Sequence, residues 1–344
     1  MKKVLFVANK LGGGGAERVL TLVANEMETM GYDVSIVVFH KCSEKYENSC
    51  PEIYYSFKND ISQILGLRKI IRAQKPDAVI AFEYFVNMKT ILAAVGMGVK
   101  VIISERNNPY ILRSQPLKYV LRNYLYGFAD TLVCQTKDAK AAFPLRVQKK
   151  SVVILNPIKD NVPRWNYENA NRTIINFCRL EKQKNIPMLI AAFEIVYKKH
   201  PDYTLEIYGS GREEEYIKEI VRQKRLEHCV KLLPFCPNIH EIAAKCAMFV
   251  SSSDFEGLSN SMLEAMAIGM PVICTDCPIG GARMVINNGK NGLLIPVGNV
   301  EKLAEAINKV IENNRFACDL AKESVLISKK LSLQNIVKKW TELI

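Results

Sequence analysis

Short β-branched apolar runs alternate with helix-period segments along almost the whole chain, and that alternation leaves few folds open. In the first half the runs fall near 3–9, 33–39, 78–82, 99–104, 131–135 and 151–155, with amphipathic segments near 15–30, 61–74, 85–96 and 115–128 between them. Continuous apolar strands separated by helices are βα units of a parallel sheet covered on both faces. The pattern breaks at Asn156-Pro157 and the polar run Lys159 to Arg172, which contains Pro163 and several Asn and predicts a linker. A second series follows, with strands near 173–178, 203–208, 229–233, 247–251, 271–275 and 292–296 and helices near 185–199, 212–226, 260–269 and 300–312. The expectation is an α/β chain of two doubly wound, Rossmann-like domains, residues 1–160 and 161–328, facing across a cleft. Ligand should bind outside the carboxyl ends of the strands.

The size fits, since 344 residues can bury two ordinary cores. The longest apolar runs, such as Val101-Ile102-Ile103, are far short of the ~20 residues that span a bilayer. The start, Met1 to Lys10, is basic but has an apolar stretch too short for a signal peptide, and it is expected to be the first buried strand. Ten cysteines are scattered, several of them (Cys134, Cys178, Cys274) inside apolar strands, so reduced core residues are expected rather than a disulfide framework. The Cys274-x-x-Cys277 pair has no second pair or nearby His to complete a zinc site.

The net charge of +12 is uneven: residues 1–160 hold 23 Lys/Arg against 14 Asp/Glu, and the remainder 24 against 21. The excess gathers around Arg106, Arg113, Lys118, Arg122, Lys137, Lys140, Arg146, Lys149 and Lys150. Such a surface suits anionic lipid, a phosphate-bearing acceptor or nucleic acid; a merely solvated face is the plainer alternative.

Three strand-to-helix turns stand out, two of them by their glycines. Gly12-Gly13-Gly14-Gly15 follows the first strand and precedes Ala16-Glu17-Arg18. It lacks the third glycine of G-x-G-x-x-G, and the second strand ends in His40-Lys41 rather than a ribose-binding acid, so a nicotinamide site is disfavoured against an acceptor-binding loop or a structural turn. In the second half, Arg179-Leu180-Glu181-Lys182-Gln183-Lys184-Asn185 joins a strand to a helix with Pro187 just inside it. Arg179, Lys184 and that helix N-terminus could together neutralise a diphosphate leaving group. Tyr208-Gly209-Ser210-Gly211 repeats the arrangement, and Phe235-Cys236-Pro237-Asn238 could seat a flat base or simply pack on its own domain.

Two acids complete the set. Glu256 and Glu264 lie eight positions apart across Glu256-Gly257-Leu258-Ser259-Asn260-Ser261. On a helix, that separation is about 12 Å, too far to act on one atom and suited to opposite ends of one long ligand. Ser261-x-x-Glu264 equally fits a capping box, in which Glu264 would only satisfy a backbone N–H. No Asp-x-Asp occurs, which argues against a divalent metal held between carboxylates.

Arg179 with Lys184, Gly209-Ser210-Gly211, Glu256-Gly257-Leu258-Ser259 to Glu264-Ala265-Met266-Ala267-x-Gly269-x-Pro271-Val272, and Asn291-Gly292-Leu293-Leu294 resemble the retaining glycosyltransferases of GT-B fold, family 4. Gly14-Gly15-Ala16-Glu17-Arg18 and Ser104-Glu105-Arg106-Asn107 further resemble bacterial members that build lipid-linked oligosaccharides and surface polysaccharides, including lipopolysaccharide and capsule. The resemblance implies that Glu264 holds the ribose of a nucleotide sugar and that Glu256 faces the transferred sugar. Gly257, Leu258, Ser259, Gly209 and Phe235 would line the donor, Arg179 and Lys184 would take the diphosphate, and Gly13, Gly14, Gly15, Glu105 and Arg106 would form an acceptor loop. Glu105 has a second reading, as a structural carboxylate paired to Arg106. The usual glycine before the diphosphate-loop arginine is Cys178, and Arg106 stands where part of the family has a histidine.

Implied too are metal-independent retaining transfer of a hexose or HexNAc, from a UDP-sugar, to a lipid-linked glycan. The donor is a substrate; no cofactor or metal is expected, and no nucleic-acid partner. Cytoplasmic location on the inner face of the membrane is expected, with residues 329–344 crossing back as a helix to the first domain. A GDP-mannose-dependent mannosyltransferase is permitted by the same motifs. A nucleic-acid-binding module has only the net charge behind it.

Overall fold

The computed structural model describes residues 1–43, 45–54, 59–158 and 161–344, so Lys159 and Asp160 at the start of the expected linker lie outside the described residues. The chain divides into two compact units, one comprising Met1–Pro157 with Leu331–Ile344, the other Ile158–Lys330.

The first unit carries β1 (Lys3–Ala8), β2 (Asp33–Val38), β3 (Glu52–Tyr54), β4 (Ala78–Phe82), β5 (Lys100–Glu105), β6 (Thr131–Cys134) and β7 (Ser151–Val153). They form one parallel sheet in the order β3-β2-β1-β4-β5-β6-β7. The order reverses between β1 and β4, where a doubly wound sheet opens at its carboxyl edge. β1 and β4 are apolar almost throughout because helices cover both faces. β3 is an addition to the strands read from sequence; three residues at a sheet edge give too little periodicity to detect.

The helix Leu333–Thr341 belongs to this unit. Its Trp340 is fully buried and stacks on Phe82 at the end of β4, with ring centroids 5.4 Å apart. Lys2 Nζ donates to the Ile344 carbonyl at 2.8 Å, fastening the chain end beside β1.

The second unit carries β8 (Thr173–Phe177), β9 (Thr204–Tyr208), β10 (Val230–Leu233), β11 (Met248–Ser251), β12 (Val272–Thr275) and β13 (Leu293–Ile295), all parallel in the order β10-β9-β8-β11-β12-β13. Its reversal falls between β8 and β11, so the loops that carry Arg179–Lys184 and Glu256 leave neighbouring strands. The helices Ile186–Lys199 and Val300–Glu312 bury Leu189, Phe193, Leu303 and Ile307 against that sheet.

The segment read as a linker is not loose after residue 160. Trp165 Nε1 donates to the Cys246 carbonyl at 2.7 Å, Arg164 Nη1 to Ala267 O at 2.7 Å, and the Trp165 amide to Ile268 O at 3.0 Å. The last two carbonyls are at the end of the helix Asn260–Ile268, where acceptors lack helical partners. Polar composition marked a loop but did not reveal that its Arg and Trp cap a helix.

Candidate active site

Loops at the carboxyl edge of the second sheet carry the sequence-predicted donor residues, and direct contacts join those after β8, β9 and β11. The loop after β8 runs through Arg179 to a 3₁₀ turn at Lys182–Lys184, and Asn185 starts the next helix as its N-cap with a left-handed backbone (φ +43°). The loop after β11 lies against it. Asp254 N donates to Gln183 O at 2.9 Å, Asn185 Nδ2 to Asp254 Oδ1 at 2.7 Å, and Ser252 Oγ to Asn185 O at 2.9 Å.

On that frame Lys184 Nζ and Glu256 Oε2 form a short, charge-assisted ion pair, with side chains only 13% and 20% exposed. Gln183 Nε2, at 3.4 Å, adds a second donor to the same oxygen. Burial works to lower the pKa of the Lys184 ammonium, and the adjoining Glu256 carboxylate overcomes it, so the group titrates above its ordinary value. Lys184 therefore stays cationic through the neutral range. The Arg179 side chain is exposed and makes no ion pair or hydrogen bond with the described residues. The edge thus holds one paired and one uncommitted cation.

Close approach of backbone explains the glycines of the β9 turn. A Cβ on Gly209 would lie 1.8 Å from Cys178 O, and one on Gly211 2.2 Å from Leu180 O. Those two positions let the Cys178–Leu180 backbone lie on the turn, where Leu180 N donates to Ser210 O at 2.9 Å. Gly209 therefore supports the Arg179 loop from beneath. Burial pushes the Cys178 thiol up to about 12, so it is a neutral packing residue in the place of the family's usual glycine.

Glu264 lies on the helix Asn260–Ile268, whose N-cap is Ser259, accepting from Met262 N at 3.3 Å. The third helical position is Met262, so Ser261 and Glu264 do not form the capping box that their spacing allowed. Instead the buried Glu264 carboxylate meets His240, with Oε2 3.0 Å from Nε2. His240 was missed in the sequence because a lone histidine on the short helix Ile239–Ala243 carries no spacing signal. Phe235, just upstream, is 71% exposed and so does not pack onto its own domain.

A second missed element is the turn after β12. Ile279 holds φ +77°, a left-handed backbone that a β-branched residue adopts at a cost of about 1–3 kcal/mol. Gly281 beside it touches the Gly257 carbonyl so closely that a Cβ there would lie 1.6 Å from the oxygen. The strained turn fixes the Gly257-Leu258-Ser259 backbone, with Leu258 buried beneath. Pro278-Ile279-Gly280-Gly281 was its available signature.

In the first unit the structure corrects several readings. Glu105 is 3% exposed, accepts from Tyr126 Oη at 3.0 Å, and lies 4.0 Å from Arg122 Nη1. It is an internal carboxylate whose charged neighbour is Arg122; the Arg106 backbone amide also donates to it, but the Arg106 side chain points elsewhere, because consecutive residues at a strand end face opposite ways. Burial holds its carboxyl above the ordinary carboxylate range against the opposing pull of Arg122. Arg106 lies over Phe82 (4.3 Å) and near Trp340 (5.4 Å) and donates to Asn156 Oδ1 at 2.8 Å. Its Nε and Nη2 are buried without a hydrogen-bond partner among the described residues, and burial lowers its pKa to about 9.

In the glycine loop Gly13 is left-handed (φ +80°), Gly15 begins the helix Gly15–Thr29, and the Glu17 carboxylate folds back over Gly14, 2.1 Å from where a Cβ would stand. The basic cluster is also smaller than its composition. Arg122 is fully buried, Lys150 Nζ donates to Gly127 O and Ala129 O at 2.5 Å each, and Lys140 Nζ to Ser151 O at 2.6 Å. Cys274 and Cys277 are free, buried thiols.

Residues 13–162 match the family Glycosyltransferase Family 4, and residues 158–325 match Glycosyl transferases group 1. With two doubly wound units, the protein is a glycosyltransferase of GT-B fold. It is 26% identical over 99% of both chains to an uncharacterized glycosyltransferase of Haemophilus influenzae. It is 25% identical, over 100% of this chain and 98% of the other, to a GalNAc-α-(1→4)-GalNAc-α-(1→3)-diNAcBac-PP-undecaprenol α-1,4-N-acetyl-D-galactosaminyltransferase of Campylobacter jejuni. The structure of Anabaena HepE in complex with UDP-glucose superposes with a TM-score of 0.86 at 21% identity, covering 99% of each chain.

Proposed function

We propose that the carboxyl edge of the second unit binds a UDP-sugar, and that the enzyme transfers its hexose or HexNAc, with retained anomeric configuration and without a metal, to a lipid-linked glycan. The carrying observation is the Lys184–Glu256 ion pair beside uncommitted Arg179. An incoming diphosphate competes with Glu256 for Lys184 and takes Arg179 directly, neutralising the leaving group. Glu256, released from its partner, then faces the transferred sugar. Glu264, oriented by His240, accepts from the ribose hydroxyls, and exposed Phe235 offers a stacking face for the base. Attack comes from the front face, and the departing phosphate helps to remove the acceptor proton.

The UDP-glucose bound by HepE and the undecaprenol-linked acceptor in the Campylobacter relative's name support this choice of substrates. No helix is long and apolar enough among the described residues to cross a membrane. We read the lipid-linked acceptor as met at the cytoplasmic face of the membrane, which the undecaprenol-linked acceptor in the Campylobacter relative's name supports. The first unit is read as the acceptor domain, with the Gly13–Gly15 loop and Arg106 at its open edge. Thermal-shift screening with UDP, GDP and ADP, then UDP-sugars with extracted lipid acceptors, tests the reading. UDP should give the largest shift. A larger GDP shift would indicate a mannosyltransferase, and undiminished transfer by folded Arg179→Ala and Glu264→Ala variants would refute the site.

A further inference from the structure

The ten-residue helix Pro116–Leu125 of the first unit is built inside out. Its charged Arg122 faces inward with no exposed surface, the guanidinium donating to Pro109 O at 2.7 Å and lying over the Tyr119 and Phe143 rings. Leu125 at its end is buried, but its other leucines, its valine and Tyr124 face outward: Leu117 is 87% exposed, Val120 64%, Leu121 48% and Tyr124 54%. Offsets of three, four and seven put these four within an arc of about 100° on one face. Phe128, in the following turn, extends the face edge-on to Tyr124 at 5.3 Å between centroids. Leu145, 74% exposed, joins it because neighbouring Arg146 donates to Tyr124 O at 2.8 Å and lies over that ring. Scattered exposed apolar residues are ordinary, but a contiguous set on a helix whose only fully buried side chain is an arginine requires a partner.

The surroundings name that partner. Arg113, Lys118, Arg146 and Lys149 rim the face and are exposed, and no acidic residue occurs from Arg106 to Ala129 or from Ala139 to Ile158. A second copy docking by two-fold symmetry would set these like charges against one another. A nucleic acid would leave the leucines wet. An anionic bilayer satisfies both features: aliphatic side chains enter the acyl boundary, aromatic residues sit at headgroup level, and basic residues meet lipid phosphate. We propose that the helix Pro116–Leu125, with Phe128 and Leu145, lies flat in the interface of an anionic membrane and seats the first unit on it. This deepens the membrane-surface reading above and is independent of donor and sugar.

The test is co-sedimentation of the full chain with phosphatidylcholine vesicles with and without phosphatidylglycerol, alongside UDP-induced thermal shift and sedimentation velocity. Wild type should bind phosphatidylglycerol-containing vesicles, with binding reduced but not abolished by salt. Leu117→Asp/Leu121→Asp should reduce partitioning at least ~100-fold, because each substitution both withdraws a leucine from the acyl boundary and places a charge there. Lys118→Gln should reduce it about 5-fold, the equivalent of about 1 kcal/mol per basic residue. The UDP shift should be unchanged in both, which separates loss of docking from loss of fold; Leu117→Ser/Leu121→Ser is the gentler variant should the aspartates unfold the unit. Unaltered partitioning of either double variant, or wild type that binds UDP but no vesicles, would overturn the proposal. A wild-type dimer that the variants dissociate, without a vesicle effect, would assign the face to a second copy instead. Vesicle binding without sugar transfer would leave the docking surface standing and count against the proposed reaction.

Discussion

The two sheets share a strand order through six strands, yet their carboxyl edges are finished in opposite ways. In the first unit the charged groups there are turned inward: Glu105 lies with Arg122 and Tyr126, Arg106 lies beneath Trp340, and Glu17 folds over its own glycine loop. In the second unit they meet one another in pairs that keep at least one partner partly exposed, Lys184 with Glu256 and His240 with Glu264, while Arg179 is exposed and uncommitted among the described residues. A buried pair with its other bonds satisfied is a structural device, because desolvation makes exchange of partner costly. A partly exposed pair can trade one partner for a ligand's phosphate or hydroxyl at little cost. The same topology thus gives one edge set for stability and one set for exchange.

Substitutions should separate the two edges. The largest effect is expected from Arg122→Met, which leaves the buried Glu105 carboxylate without its counter-charge and should destabilise the first unit by about 3–5 kcal/mol in denaturant unfolding. Glu256→Gln should act on turnover, lowering kcat about 10²–10³-fold while the unfolding midpoint moves little. Gly209→Ala should cost about 1–3 kcal/mol and weaken UDP binding together, since its Cβ would displace the Cys178 carbonyl beneath the Arg179 loop. His240→Ala removes one hydrogen bond from Glu264, and a roughly 5-fold rise in the UDP Kd is expected by calorimetry.

Arg106→Met is the smallest and has the opposite sign, a gain of about 1 kcal/mol at neutral pH accompanied by lost transfer. The folded pKa of Arg106, about 9, lies well below the ordinary guanidinium value, so the charged form carries a penalty below 9 that is relieved as pH rises toward that ordinary value. The stability advantage of the variant should therefore shrink between pH 9 and the alkaline limit. Glu105 behaves in reverse: its raised folded pKa means that stability from this group falls as pH rises from 4.5 through that value. For Lys184, also raised, the contribution is present below 10.5 and is lost only as pH climbs through the folded value.

The strands and most long helices were legible because buried parallel strands read as unbroken apolar runs, and the glycine turns announced the loops between them. What escaped depended on side chains distant in sequence. Nothing near His240 points to Glu264, 24 residues on, and Ile279 looks like any core isoleucine until its backbone angle is known. Composition also misled where it counted Arg122, Lys140 and Lys150 as surface charge, since long side chains reach inward to carbonyls. Conversely, Leu117 and Leu121, apolar by type and within the segment read as an amphipathic helix, lie outside.

The central claim is that the two glutamates of the second unit serve different ends of one donor. Calorimetric titration of UDP into wild type, Glu264→Ala and Glu256→Gln, paired with kcat for each, tests it most directly. Glu264→Ala should weaken UDP by about 10–100-fold, the loss of hydrogen bonds to a charged acceptor, whereas Glu256→Gln should bind UDP within about 3-fold of wild type yet turn over poorly. UDP binding unaffected by Glu264→Ala, or full turnover by Glu256→Gln, would contradict the assignment.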